Sequence, residues 1–132
     1  ASAAVEKIKT KGINTYSFIK EIDLAYKAAD IIISRAGAIA ISELCSIGKP
    51  VILIPSPNVA ENHQFKNAQS LVNKNAALLV NDVDSNDKLV ESIISLYKDD
   101  DLKDKLSINI KKMEVKNSAS IISKHALDLL KK

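Results

Sequence analysis

The chain has 132 residues, of which 46% are hydrophobic and 27% are charged, as in an ordinary globular protein of one domain. The formal net charge is only +3 and aromatic residues make up 4%, so a nucleic-acid-binding surface is not expected. The single cysteine excludes a disulfide within the chain and suits a reducing cytoplasm. We find no signal peptide and no apolar run as long as a transmembrane helix, so any membrane contact would be peripheral.

The first part of the chain predicts three short elements. Residues 1–11 are helix-like or a frayed terminus, residues 13–18 alternate weakly and predict a strand, and residues 21–29 predict a short helix. Three residues of that helix are expected to face inward: Ile22, Leu24 and Ala25.

The central stretch covers residues 30–50, DIIISRAGAIAISELCSIGKP. Its β-branched start predicts a strand buried on both faces, and the small residues at 34–38 predict a turn. The helical period then places one set of residues on the buried side of a helix: Ile41, Leu44, Cys45 and Gly48. Gly48 ends this helix, and Pro50 follows where a helix cannot continue.

A strand, a turn of small residues and a helix N-terminus together form a potential phosphate site. The first N–H groups of a helix have no partner within the helix and lie at the positive end of its dipole, so they favour an anion. The alternative is that Gly37 only makes the turn, because a lone glycine is neither a GxGxxG fingerprint nor a P-loop.

Further strands and helices alternate along the rest of the chain. Residues 51–54 predict a second buried strand, closed by the stiff loop 55–57, and residues 76–80 predict a third. Acidic N-cap candidates at 84–87 precede a helix that runs to about residue 98, and two more amphipathic helices follow. Residues 58–62 lead into a further predicted helix that precedes the third strand. The residues expected to face the core from these four helices are, in chain order, Phe65, Ala68 and Val72; Leu89, Ile93, Leu96 and Tyr97; Leu102, Leu106, Ile110 and Met113; and Ile122, Ala126, Leu129 and Leu130.

This order predicts an α/β fold, a Rossmann-like parallel sheet with helices on both faces. We expect one domain over residues 1–132, with carboxyl-terminal helices over about 85–132. Ligands of such sheets bind outside the carboxyl ends of the strands. Three turns should meet there, at residues 18–21, 34–38 and 55–64.

Polar side chains near that edge have two interpretations each. Glu43 lies opposite Ile41 and Leu44, so it could accept the hydroxyls of a ribose or be a solvated helix acid. Arg35 could neutralise a phosphate or tie down the turn. His63 and Gln64 could bind sugar hydroxyls or simply be exposed.

The remaining side chains indicate no catalytic or metal site. His125 is expected to pack or to lie at the surface. The two histidines and one cysteine are too far apart to suggest metal ligands, and neither a Ser-His-Asp order nor paired acids stand out.

Four motifs occur together in this chain: R-A-G-A at 35–38, S-E-L at 42–44, G-K-P-V-I-L-I-P at 48–55 and Q-x-x-N-A at 64–68. In this combination, nearly the whole chain resembles the carboxyl-terminal domain of the MurG family, within glycosyltransferase family 28. The resemblance implies part of the carboxyl-terminal half of a GT-B glycosyltransferase, which holds the nucleotide-sugar donor.

The resemblance also implies roles for particular residues along the donor. Glu43 would bind the ribose hydroxyls, and the backbone of Ile19 would pair with the base edge. The other implied contacts are the uracil pocket of Phe18, Ile19 and Ile22; the diphosphate at Gly37, Ala38 and Ile39; the turn framed by Ser34 and Arg35; and the sugar at His63 and Gln64. The family often has a glutamine at the position of His63.

The implied activity is transfer of N-acetylglucosamine from UDP-GlcNAc to lipid-linked muramyl-pentapeptide in peptidoglycan synthesis, with no metal or other cofactor. It would take place at the cytoplasmic face of the bacterial inner membrane. The amino-terminal acceptor domain of the family, which meets the lipid-linked acceptor, has no counterpart in this sequence. We therefore expect a soluble, inactive part of a longer enzyme that contains no catalytic residue.

The sheet would also lack strands that the family places between residues 13–18 and 30–34. We expect residues 13–18 to pair directly with 30–34, or a second chain to fill the gap through an unpaired strand edge.

Three alternatives remain open from the sequence. One is a stand-alone nucleotide-sugar-binding subunit that needs a membrane partner, an arrangement similar to the eukaryotic dolichol-linked chitobiose synthase. Another is an isomerase resembling the UDP-GlcNAc 2-epimerases, and the last is a Rossmann-like module without a donor site.

Overall fold

The computed structural model describes residues 12–57 and 62–115 of the chain. Within these ranges the chain forms one parallel sheet and five α-helices. In chain order the elements are α1 (Ile22–Ala28), β1 (Ile32–Ser34), α2 (Ala38–Ile47), β2 (Val51–Leu53), α3 (His63–Val72), β3 (Leu78–Leu79), a 3₁₀ turn (Asp82–Asp84), α4 (Ser85–Lys98) and α5 (Asp100–Lys112).

The sheet has three parallel strands in the order β1-β2-β3. Ile33 lies opposite Ile52, and Ile52 lies opposite Leu78. All three residues of β2 are buried, as expected for a central strand covered on both faces. The strands predicted at residues 30–33, 51–54 and 76–80 are therefore confirmed. Burial of the first strand on both faces is wrong, because β1 is an edge strand among the described residues and Ile33 is 44% exposed.

Helices cover both faces of the sheet. Because side chains alternate along a strand, Val51 and Leu53 pack into one core and Ile52 packs into the other. The first core joins β1 and β2 to α2, α3 and the end of α5, and the second joins β2 and β3 to α4 and the start of α5. This arrangement confirms the predicted Rossmann-like class.

The ends of α2 lie where the sequence predicts them. The helix begins after Gly37, and Gly48 ends it in the left-handed conformation with φ of 72°. The Gly48 N–H donates to the carbonyl oxygen of Leu44 at 2.9 Å. Leu44 and Cys45 are buried, which agrees with the predicted inner face.

The strand predicted at residues 13–18 is wrong. Residues 12–20 are exposed and have no regular structure, and Phe18 is 77% exposed. Among the described residues, β1 pairs with β2 alone, so direct pairing of 13–18 with 30–34 is also wrong. An alternating pattern becomes a strand only when a neighbouring strand completes its hydrogen bonds. The second-chain alternative stays a prediction.

Two predictions about helix faces also need correction. Ile22, Leu24 and Ala25 are exposed on α1, because this short helix contacts α2 and packs on the core through Tyr26 and the following Ala29. Tyr97 is 62% exposed, with the Lys103 ammonium 5.3 Å from its ring centroid.

On α3 the buried residues are Ala68 and Leu71, while Phe65 and Val72 are half-buried. The predictions for residues 1–11, for the last helix with Ile122, and for His125 lie outside the described residues. Among the helices that the structure describes, we find none with the length and apolar character of a membrane span.

Candidate functional site

The carboxyl ends of the three strands lie side by side, and each is followed by a turn. Two hydrogen bonds connect these turns to the elements beside them. The Arg35 guanidinium donates to the carbonyl oxygen of Ile54 at 3.2 Å, and the Asn67 side-chain amide donates to the carbonyl oxygen of Ala36 at 3.2 Å. The turn after β1 is therefore held against both β2 and α3, as the predicted convergence of residues 34–38 with 55–64 requires.

Arg35 ties down the turn, which is one of its two predicted uses. Besides Ile54, its guanidinium pairs with the carboxylate of Asp82 in the turn after β3. The Ser34 hydroxyl donates to the Arg35 carbonyl oxygen at 2.9 Å and closes the turn locally. Sequence analysis did not single out Asp82. It could have been singled out because it is an acid shortly after a predicted strand, and the carboxyl end of that strand lies at the same edge of the sheet as Arg35.

The N-terminus of α2 is open. Gly37 has φ of −67° and ψ of 147°, a conformation that any residue adopts, and a Cβ added there would meet no described atom within 4 Å. Ala38 is exposed and Ile39 is 80% exposed. The first amides of the helix lack helical partners, so the predicted diphosphate position is accessible to a ligand.

Glu43 lies on α2 on the side toward α1. Its carboxylate is exposed, and its charge acts on the half-buried Tyr26 hydroxyl. Burial first, and the Glu43 charge second, raise the pKa of Tyr26 above its ordinary value. Glu43 therefore faces helix α1 from the second turn of α2.

An open depression lies at the start of α1. Its volume is about 360 Å³, which accommodates a pyrimidine ring. Phe18 and Ile19, two of the three residues predicted for the uracil pocket, line it, whereas Ile22 is not part of the lining. The other lining residues are Tyr16, Lys20, Glu21, Leu24 and Ala25.

At the start of α3, Gln64 has an internal role. Its side-chain oxygen accepts a hydrogen bond from the Ser56 N–H at 2.9 Å and so holds the loop after β2. His63 is exposed. A second depression of about 210 Å³ lies nearby, lined by Pro55, Ser56, Pro57, Asn62, Phe65, Asn81, Asp82 and Val83.

Within residues 12–57 and 62–115, no group of three or more His, Cys, Asp or Glu side chains is arranged to hold a metal ion. The polar groups described near this edge are the first backbone amides of α2, the carboxylates of Glu43 and Asp82, the Arg35 guanidinium that pairs with Asp82, and the side-chain amides of Gln64 and Asn67. This set suits binding of a nucleotide by hydrogen bonds and dipoles.

A parallel α/β sheet with an open helix N-terminus at its carboxyl edge defines a Rossmann-like domain. The model of the glycosyltransferase family 28 C-terminal domain matches residues 2–123. The chain therefore belongs to this family.

Curated relatives are about half identical in sequence. The chain is 47% identical over 120 residues to the UDP-N-acetylglucosamine--N-acetylmuramyl-(pentapeptide) pyrophosphoryl-undecaprenol N-acetylglucosamine transferase of Phocaeicola vulgatus, covering 91% of this chain and 32% of the relative. The protein of the same name from Parabacteroides distasonis is 48% identical over 115 residues, covering 87% of this chain and 31% of the relative. The chain thus spans about a third of the length of the relatives it matches.

A solved structure supports the fold. The crystal structure of Acinetobacter baumannii MurG superposes with a TM-score of 0.71 at 24% identity, covering 86% of this chain and 32% of that one. The similarity confirms the predicted fold class as part of the MurG fold.

Proposed function

We propose that this chain is the donor-binding part of an N-acetylglucosaminyltransferase that acts in peptidoglycan synthesis. The donor would be UDP-GlcNAc, and the acceptor would be N-acetylmuramyl-(pentapeptide) pyrophosphoryl-undecaprenol. Family membership and relatives of this name at 47% and 48% identity support the assignment. Those names also favour a transferase over the epimerase alternative.

The observation that carries the proposal is the open N-terminus of α2. Glu43 lies one turn further along the same helix and faces α1, and the depression around Phe18 and Ile19 lies at the start of α1. A uridine diphosphate would place its base in the depression, its ribose at Glu43, and its phosphates at the amides of Ala38 and Ile39. Gly37 would leave room for the phosphates to approach.

The chemistry that this half would contribute is electrostatic. When the glycosidic bond breaks, negative charge grows on the departing diphosphate. Fixed N–H dipoles at a helix terminus stabilise such charge without having to reorganise, and this is worth most where water is excluded. The donor-binding residues would therefore need no metal or other cofactor.

The other reactant would be handled outside this stretch. The relatives are about three times as long as the matched part, so the acceptor site and the catalytic base would belong to an amino-terminal domain. That domain would bring the site to the cytoplasmic face of the membrane, as a peripheral contact. The sugar would lie near His63 and Gln64, beside the loop that Gln64 holds.

The proposal can be tested by titrating the chain with UDP, UDP-GlcNAc and GDP, followed by two-dimensional NMR. We expect the two uridine ligands to shift signals around Ile19, Gly37 and Glu43, and GDP, which differs in its base, to bind more weakly and to shift the signal of Ile19 least. Glu43→Ala should weaken UDP binding about tenfold or more, because a hydrogen bond to a charged group is lost. Glu91→Ala on α4, which removes an exposed acid elsewhere, is the matched control.

Two results would contradict the proposal. One is a well-dispersed spectrum with no shift at millimolar UDP, which would mean that the fold is present without a donor site. The other is an equal effect of Glu43→Ala and Glu91→Ala on UDP affinity, which would remove Glu43 from the site.

A further inference from the structure

An ion pair spans the carboxyl edge of the sheet. Arg35 follows β1, Asp82 follows β3, and their side chains meet across the end of β2, where Arg35 also donates to the Ile54 carbonyl oxygen at 3.2 Å. One guanidinium thus connects the ends of all three described strands. The two partners are 47 residues apart in the chain, so the pair joins separate parts of the fold.

Asp82 is itself held by short local bonds. The Ser85 hydroxyl donates to the Asp82 carbonyl oxygen at 2.7 Å, and the Asp84 N–H donates to the Asn81 carbonyl oxygen at 3.0 Å. Helix α4 begins directly after this turn and is anchored by the buried Leu96. Asp82 is therefore a fixed point against which the longer Arg35 side chain is set.

The side chains of the pair remain partly exposed, Arg35 at 56% and Asp82 at 33%. Ion pairs of this exposure contribute little to folding stability, so stability alone gives no strong reason for this one. The pair instead restrains the backbone at Arg35, which lies two residues before Gly37. A small rotation at Arg35 would redirect the first amides of α2.

We propose that Asp82 is a positioning residue for the donor diphosphate, acting through Arg35 on the turn at residues 35–37. The inference rests on the proposed function. Asp82 compensates the Arg35 charge, so the attraction for phosphate falls on the amides of α2. Binding by such amides depends on their placement to within about half an ångström. Asp82 supplies part of that placement from across the sheet.

The test compares Asp82→Asn with Asp84→Asn. Asp84 is the matched control because it lies in the same 3₁₀ turn but pairs with Lys88 at 3.4 Å. In Asp82→Asn we expect amide hydrogen exchange to be about tenfold faster at Ile54 and Ile41, whose N–H groups donate at 2.9 Å to carbonyl oxygens at the two ends of the turn. UDP affinity should fall about fivefold, and uridine affinity should stay the same because uridine has no phosphate.

Two further measurements separate positioning from a general loss of structure. The melting temperature of Asp82→Asn should stay within about 2 °C of the wild type, since the pair is partly exposed. Asp82→Glu, which keeps the charge, should restore most of the UDP affinity. A parallel loss of UDP affinity, uridine affinity and melting temperature would overturn the positioning role.

Other outcomes are equally decisive. If Asp82→Asn behaves like Asp84→Asn in exchange and in UDP affinity, the inference is wrong. If UDP binds more tightly to Asp82→Asn, the released Arg35 is a phosphate ligand and the inference is also wrong. If the wild type binds no UDP, the proposed function fails. The exchange comparison then still decides whether Asp82 holds the turn.

Discussion

Helix α2 begins after one glycine and ends at another, and the surroundings of the two residues differ. Gly48 has φ of 72°, and a Cβ added there would lie 3.1 Å from the Lys111 side chain. Gly37 has an ordinary φ of −67°, and no described atom lies within 4 Å of an added Cβ. The conformation favours a glycine at position 48 and the packing there leaves little room for a Cβ, whereas neither restricts position 37 among the described residues.

The end of α5 and the residues after it pack against the carboxyl end of α2. Lys111 donates to the Ser46 carbonyl oxygen, and the Ser46 hydroxyl donates to Glu114 at 3.0 Å. Lys111 and Glu114 also pair with each other at 3.2 Å. Among the described residues, none would meet a Cβ added to Gly37 at the amino end, whereas α5 packs against the carboxyl end. The open amino end agrees with the proposed position of the phosphates.

The two ends of α2 should differ most in how much stability is lost when an apolar side chain is truncated to alanine. Leu44→Ala should lower the free energy of unfolding by about 2–5 kcal/mol, because Leu44 is fully buried near the carboxyl end. Ile39→Ala should change it by no more than about 0.5 kcal/mol, because Ile39 is 80% exposed at the amino end. Urea unfolding measures both. A loss above about 1 kcal/mol for Ile39→Ala would mean that the amino end belongs to the core.

The two glycines should respond differently to the same substitution. Gly48→Ala should cost roughly 1–2 kcal/mol, because alanine is strained at positive φ and its Cβ would also crowd Lys111. Gly37→Ala should stay within about 0.5 kcal/mol, because a stiffer unfolded chain offsets a poorer helix cap. Thermal unfolding of both variants provides the comparison. Equal losses would remove the distinction between the two ends.

The sequence was sufficient where one short stretch determined the structure. The β-branched residues around Ile32 and the run at 51–54 predicted strands, and Gly48 with Pro50 predicted the end of α2. Burial on both faces was predicted for both strands but holds only for β2, because β1 lies at the edge of the described sheet. Gly37 could be singled out because small residues after a strand form a recognisable turn. Its open surroundings could not be read from one chain, because they depend on which elements pack nearby.

Features that depend on distant partners were missed. The pairing of Arg35 with Asp82 joins residues far apart in the chain, and no local pattern specifies it. Residues 13–18 carried a strand-like alternation, but no neighbouring strand completes it among the described residues. Tyr97 fitted the helical period of α4, yet its ring lies under the Lys103 ammonium rather than in the core. Tertiary contacts decided all three.

A serine at position 37 should have opposite effects on stability and on binding. The backbone at Gly37 already has the extended conformation of a helix cap, so a serine hydroxyl could accept from the amide of Ile39 or Ala40. This should raise the free energy of unfolding by about 0.5–1 kcal/mol. UDP affinity should fall about threefold, because the serine hydroxyl would compete with the diphosphate for the same amides. Unchanged affinity in an NMR titration would show that the phosphates lie elsewhere.

The smallest effect is a pH dependence at the carboxyl end. Burial, and secondarily the Glu114 charge, raise the pKa of the Cys45 thiol, while Lys74 lowers it slightly. The unfolded chain therefore loses this proton first, so the associated stability is complete below a pH of about 8.5 and is lost as the pH rises through the folded pKa. Cys45→Ala should flatten the decline in unfolding free energy between about pH 8 and pH 10.

Two comparisons isolate the thiol. Glu114→Gln should flatten the decline less than Cys45→Ala, because burial is the first cause of the shift. Burial and the Glu43 charge also raise the pKa of Tyr26, so Tyr26→Phe measured in the same pH series separates its contribution from that of the thiol. Urea unfolding at each pH gives the slopes. Equal slopes for wild type and Cys45→Ala would mean that the thiol has the same pKa in both states, and that the carboxyl end of α2 is more open to water than its packing against α5 indicates.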